Sequence, residues 1–154
     1  MGNPLALLFR ALLLWLSGRA HFCSDLEHIG VQDRGECFSA FRKMVVEPTA
    51  TQPQQPGAAL RVRFSFKNLS AAANRRLSLL PIPLIVAQPG FRSKTWLLGE
   101  ESGDFIGLYE FDTVRDAEAY WRSLPLRMMQ RRAAPDSLTR EVSAIGVDHT
   151  KPSS

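Results

Sequence analysis

The chain of 154 residues is poor in cysteine and histidine, with two and three of them respectively. It contains no Gly-x-Gly-x-x-Gly, His-Glu-x-x-His, Gly-x-Ser-x-Gly or Cys-x-x-Cys sequence. Dinucleotide binding, zinc-peptidase, hydrolase-elbow and thioredoxin-type chemistry therefore have no support. No apolar run reaches the roughly 20 residues that a membrane-crossing helix needs. The sequence does contain tryptophan and tyrosine residues within segments that have the hydrophobic periodicity of strands and helices.

The two cysteines, Cys23 and Cys37, both lie in the first 59 residues. In an exported protein they could form a disulfide, whereas in a reducing compartment they would remain two free thiols. We favour the second interpretation. His21 and His28 lie nearby, but no close Cys-x-x-Cys or His-x-x-x-His pair accompanies them. Zinc ligands in proteins usually come in such pairs, so we expect no bound metal.

Residues 1–59 differ in composition from the rest of the chain. The apolar run at 4–16 is interrupted only by Arg10, and the stretch PTATQPQQPGAA at 48–59 has the composition of a linker. We therefore predict three parts: an N-terminal extension with a Pro/Gln-rich linker over residues 1–59, one domain over 60–145 and a tail over 146–154.

The apolar run also bears on location. It has no positive side chain ahead of it, unlike a secretory signal, so we expect a cytoplasmic protein without a membrane partner. The alternative is export or membrane association through residues 4–16. The net charge of +4 is spread among acids and apolar positions, so no nucleic-acid partner is expected. The sequon Asn68-Leu69-Ser70 would matter only in an exported eukaryotic protein.

After the linker, the hydrophobic pattern alternates between the periods of strands and helices. The stretch LRVRFSF at 60–66 alternates as a half-buried strand, and the helix after it should be kinked or broken by Pro81 and Pro83. Two further strands form a hairpin, and an amphipathic helix that ends at Pro125 leads to a last strand. This order predicts an α+β fold, the ferredoxin-like β-α-β-β-α-β plait, with helices on one face of a four-stranded antiparallel sheet.

The helix-free face of such a sheet must also be accounted for. We expect it to carry aliphatic and aromatic side chains, which would leave a large apolar patch exposed in a monomer. Pairing of two copies about a two-fold axis is the simplest way to bury that patch, so we predict a homodimer.

Four short motifs in this domain are shared with a known family. They are Pro89-Gly90-Phe91, Lys94-Thr95-Trp96, Gly107-Leu108-Tyr109 and Ala117-Glu118-Ala119-Tyr120. Over residues 60–145 the chain resembles the dimeric α/β-barrel monooxygenase superfamily, and more narrowly its small bacterial YdhR-type members. It departs from them in the N-terminal extension and in the two prolines of the first helix, which usually roofs the cavity.

The resemblance implies a dimeric α/β barrel with a cavity between sheet and helices. Some relatives oxygenate quinol-like substrates without metal or flavin, while others degrade haem, which usually requires a histidine to hold the iron. All three histidines lie outside residues 60–145. We therefore interpret the chain as a cofactor-independent monooxygenase for a small aromatic or quinol-like molecule. The alternative is a non-catalytic barrel that binds a small hydrophobic ligand or serves only as a structural dimer.

The resemblance also implies the site residues, since relatives use Trp, Asn and Tyr side chains as donors. Here Trp96, Tyr109 and Asn68 are the catalytic candidates. Trp96 shares its predicted strand face with charged residues, which is unusual company for a core tryptophan. The alternative is that Trp96 and Tyr109 pack in the sheet or at the dimer contact. For Tyr120 and Trp121, the helical spacing favours core packing, and no general base stands out from the sequence.

Overall fold

The computed structural model describes residues 3–66 and 70–145, and the strands in these ranges form one antiparallel sheet. Its helices and strands follow one another as α1 (Pro4–Leu16), β1 (Ala20–Phe22), β2 (Gly30–Asp33), β3 (Glu36–Val46), β4 (Ala58–Phe64), α2 (Ala71–Leu77), α3 (Ile82–Val86), β5 (Phe91–Gly99), β6 (Phe105–Phe111), α4 (Val114–Tyr120), α5 (Leu124–Arg132) and β7 (Thr139–Ala144).

The second half of the chain forms the predicted plait. The strands lie in the order β5-β6-β4-β7, and helices connect β4 to β5 and β6 to β7. Strand β4 shows why this sequence makes a half-buried strand, because Leu60 and Val62 are fully buried while Arg61 and Arg63 point to the other face. The α+β, ferredoxin-like prediction is confirmed.

The N-terminal residues extend this sheet beyond the four predicted strands. Strand β3 pairs with β5 from Phe38 to Val45, and β1 and β2 both pair with β3. The register shifts between Ala40 and Arg42, so Phe38 packs on the helix-free side while Met44 packs under the helices. This β-bulge interrupts the alternation, which is why the sequence pattern did not reveal a strand. The predicted boundary at residue 59 lies next to the start of β4, but the sheet continues across it.

The helices differ from the prediction at one of two proline sites. Around Pro81 the expected break occurs, since α2 ends at Leu77 and α3 begins at Ile82. At Pro125 the predicted stop is wrong, because α4 ends earlier and a further helix, α5, begins with Pro125 in its first turn. Proline is well accommodated there because the first turn has no intrahelical acceptor for its missing N–H.

Helix α1 packs against the domain with one side. Its buried residues are Ala11 and Leu14, with Leu7 and Trp15 packed beside them, and it contacts α3 and β1. Among the described residues, no helix combines the length and hydropathy that crossing a bilayer requires.

The helix-free face is not the apolar patch that the sequence pattern suggested. Its apolar part is a small cluster of Phe38, Leu97 and Ile106, which is buried with help from Val31 on β2. The remainder is polar and charged, because bulges and alternation place the following residues on it: Lys43, Arg61, Arg63, Ser93, Thr95 and Glu110.

Candidate functional site

A small cavity lies between the sheet and the helices, where the resemblance predicts one. Its volume is about 20 Å³, which is room for about one water molecule. Strands β4, β5 and β6 form its floor, and the α2–α3 junction, α4 and α5 enclose it. The lining residues that carry polar or aromatic groups include Phe66, Ser78, Lys94, Trp96, Tyr109 and Arg132.

Strand register brings the floor residues together. Lys94 on β5 lies opposite Tyr109 on β6, and Trp96 lies opposite Gly107. Residues two apart on a strand share a face, so Lys94 and Trp96 both point under the helices. Gly107 leaves the space that the Tyr109 ring fills, since a Cβ at this glycine would lie 2.8 Å from a carbon of that ring.

Lys94 is the most unusual residue of this site. Its side chain is 5% exposed, and its Nζ lies 4.6 Å from the centroid of the Trp96 ring and 4.5 Å from that of Tyr109. The lining residues of the cavity include no Asp or Glu that could pair with it. Burial, together with the positive charges of Arg132 and Arg42, lowers the pKa of Lys94 well below its usual range. A neutral amine at this position can accept a proton.

The two tyrosines of the chain lie side by side in the same site. Their ring centroids are 4.8 Å apart, and both side chains are buried. Burial raises the pKa of Tyr109, and burial together with the neighbouring Tyr109 hydroxyl raises the pKa of Tyr120. Both phenols therefore stay protonated and can act as hydrogen-bond donors.

Two arginines complete the charge of the site. Arg42 on β3 stacks over Trp96 at 5.4 Å, and it donates hydrogen bonds to the Ser78 hydroxyl at 2.7 Å and the Arg75 carbonyl at 3.1 Å. Arg42 thus ties α2 to the sheet beside Trp96. Arg132 on α5 lines the cavity, and its buried Nε–H finds no acceptor among the described residues. A site with two arginines, an unused N–H and no lining carboxylate is suited to an anion.

The candidates named from sequence have different outcomes. The structure brings Trp96 and Tyr109 to one cavity, while Asn68 lies outside the described residues. Tyr120 is part of the core and also lines the cavity, whereas Trp121 is half-buried beneath Arg140, which lies 4.5 Å from its ring centroid. Lys94 was missed as a candidate, although the charged company of Trp96 on its strand was the available signal.

Arg92 shows how a bulge changes the composition of this strand face. Strict alternation along the strand would put Arg92 on the same face as Lys94 and Trp96. The register of β5 against β6 shifts between Phe91 and Ser93, however, and this bulge breaks the alternation. The Arg92 guanidinium instead binds the Pro53 and Gln54 carbonyls and the Asp112 carboxylate. It fastens the proline-rich segment rather than serving the cavity.

Residues that could hold a metal ion are not clustered in the part of the chain that the structure describes. His21 is exposed and lies 3.6 Å from Glu47, His28 is exposed, and neither lines the cavity. Cys23 and Cys37 are free thiols, as expected.

No known family profile and no curated protein matches the chain. Among solved structures, the heme-degrading enzyme LmHde from Listeria monocytogenes is similar in fold, with a TM-score of 0.55 and 7% identity over 85% of this chain and 90% of that one. The fold predicted from the motif resemblance is thereby confirmed.

Two other solved structures are less similar in fold. One is a "Putative monooxygenase" from Fusobacterium nucleatum, with a TM-score of 0.49 and 4% identity over 71% of this chain, which spans about half (49%) of that protein. The other is an anthrone oxidase-like protein, with a TM-score of 0.45 and 15% identity over 72% of this chain and 57% of that one.

Proposed function

We propose that the chain is an oxygenase that uses no metal or organic cofactor and acts on a small phenolic or quinol-like molecule. The observation that carries the proposal is Lys94, a buried amine placed between Trp96 and Tyr109 in a cavity without a lining carboxylate. Activation of such a substrate toward dioxygen begins with removal of a proton, and a neutral lysine is a suitable base.

The reaction balances with dioxygen as the only co-substrate. The Lys94 amine takes the phenolic proton, and the resulting anion carries electron density onto a ring carbon. That carbon reduces dioxygen and bonds to it, giving a peroxide anion, which the Lys94 ammonium protonates. Loss of water then breaks the O–O and ring C–H bonds and leaves a quinone. One phenol and one dioxygen give one quinone and one water.

The other polar groups favour the anions formed on this path. The unused Nε–H of Arg132 and the hydroxyls of Tyr109 and Tyr120 are donors in a buried, cationic site. Preorganised donors of this kind stabilise a developing oxyanion because they need no reorganisation when the charge forms. Trp96, whose ring lies over Lys94, would add its indole N–H as a further donor.

Substrate entry requires movement of the roof. A cavity of about 20 Å³ is far smaller than an aromatic ring. Ser78 and Pro81 line it from the α2–α3 junction, where turn hydrogen bonds between residues three apart replace the α-helical pattern. Displacement of this junction would widen the cavity next to Lys94 and Trp96.

The haem chemistry of the Listeria enzyme does not fit this site. None of the lining residues of the cavity is a histidine that could ligate iron. We therefore propose no step that involves haem.

Oxygen uptake with a panel of phenols and hydroquinones, measured with and without a metal chelator, tests the proposal. We expect chelator-insensitive uptake with one water formed per quinone. The Lys94→Met variant should lose about 100- to 10,000-fold in rate, the usual contribution of a positioned base. A folded protein that binds a quinol without consuming oxygen would instead support the non-catalytic ligand-binding barrel. Activity that the chelator abolishes would contradict the cofactor-free mechanism.

We further propose that the protein works as a cytoplasmic homodimer that pairs through the helix-free sheet face. What supports the pairing is the presence of both charge signs on that face, with Lys43 and Arg61 near Glu110 and Glu141. Such a surface can be complementary to itself about a two-fold axis.

A further inference from the structure

Helix α1 exposes a broad apolar face. Leu5, Leu8, Phe9, Leu12, Leu13 and Leu16 are each between 46% and 75% exposed. At 100° per residue these six side chains fall within an arc of about 140°. The opposite side of the helix carries Ala11 and Leu14, which are buried against the domain. A helix that is apolar all round is normally covered on all sides, so this face requires an occupant.

The surroundings of α1 are cationic. No acidic residue occurs between Asn3 and Cys23. Arg10 is exposed at the edge of the apolar face, and a groove of about 790 Å³ joins it to Arg122 and Arg127 at the α4–α5 junction. None of the groove's lining residues is acidic. The charge complement of this region is therefore an anionic surface.

The size of the face argues against a second protein copy as its occupant. A helix of 13 residues is about 20 Å long and, with side chains, about 10 Å wide. The strip it presents falls well short of the roughly 800 Å² per partner that a stable protein interface buries. A bilayer surface has no such requirement, because each inserted side chain contributes separately to binding.

From the exposed face and its cationic edge, we infer that α1 is an interfacial helix that docks the protein on an anionic phospholipid membrane. Leu5, Phe9, Leu12 and Leu16, at the centre of the arc, enter the acyl boundary. Arg10 and Arg122 lie at the level of the lipid phosphates. The helix lies in the membrane plane and does not cross it. This inference takes up the alternative of membrane association through residues 4–16 instead of the expectation of no membrane partner, because the exposure of these side chains could not be read from the apolar run. The inference does not depend on the proposed oxygenase activity.

Flotation of the full chain with lipid vesicles tests this inference. We expect binding to vesicles of phosphatidylcholine with phosphatidylglycerol, and at least about tenfold weaker binding to phosphatidylcholine alone. Binding should also weaken as salt is raised, since the arginine contribution is screened. Absence of binding to the anionic vesicles at low salt would overturn the inference.

Variants separate the apolar and charged contributions. The double variant Leu8→Ser/Leu12→Ser should lose at least about tenfold in vesicle binding, because both side chains are exposed and contribute insertion rather than core packing. The matched control is Val114→Ser, which removes an exposed apolar residue from α4 and should leave binding unchanged. Circular dichroism should show both variants folded. A concentration-dependent dimer that the double variant abolishes, without vesicle binding by the unaltered chain, would assign the face to a second copy and overturn the inference.

Discussion

The amine of Lys94 is buried at a cost to stability. An unpaired ammonium in a buried site is strongly disfavoured, and the chain accommodates Lys94 by placing it between two aromatic faces and lowering its pKa. The lowered pKa favours the neutral amine over the ammonium in the folded protein. Residues that are poised for proton transfer often have such shifted pKa values.

Replacing Lys94 with methionine should stabilise the protein while lowering its rate by the factor given above. Because the pKa of Lys94 is lowered in the folded state, stability of the wild type rises with pH from that lowered pKa up to about 10.5, the unfolded value. The advantage of Lys94→Met in melting temperature should therefore be largest at low pH and shrink as pH approaches 10.5. Each pKa unit of lowering corresponds to about 1.4 kcal/mol, or about 3–6 °C in melting temperature.

Melting curves of both proteins over a range of pH check this prediction. Lys94→Arg is a useful second variant, since it keeps a cation that cannot serve as a base, and it should be both less stable than Lys94→Met and inactive. A Lys94→Met variant that melts below the wild type at every pH would show that the amine makes a stabilising contact.

Trp96→Phe should separate a donor role from a packing role. The smaller ring still covers Lys94 but lacks the indole N–H, so we expect a folded protein with an oxygenation rate reduced about 100- to 1000-fold. Trp121→Phe is the matched control, because Trp121 caps the C-terminal end of α4 outside the cavity and its substitution should leave the rate unchanged. Steady-state oxygen uptake measures both, and full turnover by Trp96→Phe would exclude the donor role.

At the scale of helices and strands, the sequence predicted what regular periodicity encodes. Strand β4, the β5–β6 hairpin and the break at Pro81 follow from local alternation and proline chemistry. The parts that were missed depend on irregularities. The bulge in β3 moves its apolar residues from one face of the sheet to the other, so the strand shows no regular alternation in the sequence. Pro125 lies in the first turn of a helix instead of ending one.

The candidate site was predictable only in part, for a related reason. Trp96 and Tyr109 could be placed on facing strands from their motifs, but the pairing of Lys94 with Tyr109 depends on the register that follows the bulge after Phe91. Arg42 comes from a strand that sequence analysis did not identify, where it is the cross-strand partner of Trp96 on β5. Asn68 lies outside the described residues and stays a prediction.

Removal of residues 1–57 should destabilise the domain severely. Composition alone suggested an extension with a linker, but β3 supplies the buried residues Phe38, Met44 and Val46 and pairs with β5 along most of its length. Each such side chain contributes about 1.5–3 kcal/mol, so their loss approaches the whole stability of a typical domain, about 5–15 kcal/mol.

A shortened chain beginning at Ala58 can be compared with the full chain by thermal melting and sedimentation. We expect a melting temperature lower by more than about 10 °C, or aggregation through the newly exposed edge of β5. A soluble shortened chain with an unchanged melting temperature would show that β1–β3 are an independent addition to the sheet.

At the scale of the whole molecule, two faces have opposite character. The helix side carries the apolar face of α1 with its arginines, while the helix-free side carries mixed charges around a depression of about 490 Å³. The apolar face of α1 and the helix-free face lie on opposite sides of the sheet. The protein could therefore bind a lipid surface through α1 and pair with a second copy through the helix-free face at the same time.

The mixed charges make the proposed dimer sensitive to salt. If a two-fold axis places Lys43 and Arg61 of one protomer near Glu110 and Glu141 of its partner, attraction between exposed charges should fall as the Debye length shrinks from about 14 Å at 0.05 M salt to about 4 Å at 0.5 M. Sedimentation velocity should therefore show a dimer at the lower salt concentration that dissociates partly at the higher one.

Glu141→Lys, which adds a cation to this face, should weaken the dimer at low salt, whereas Glu118→Lys on α4, at the helix side, should not. A monomer at every salt concentration would contradict pairing through the sheet, and a dimer that high salt strengthens would indicate an apolar contact elsewhere.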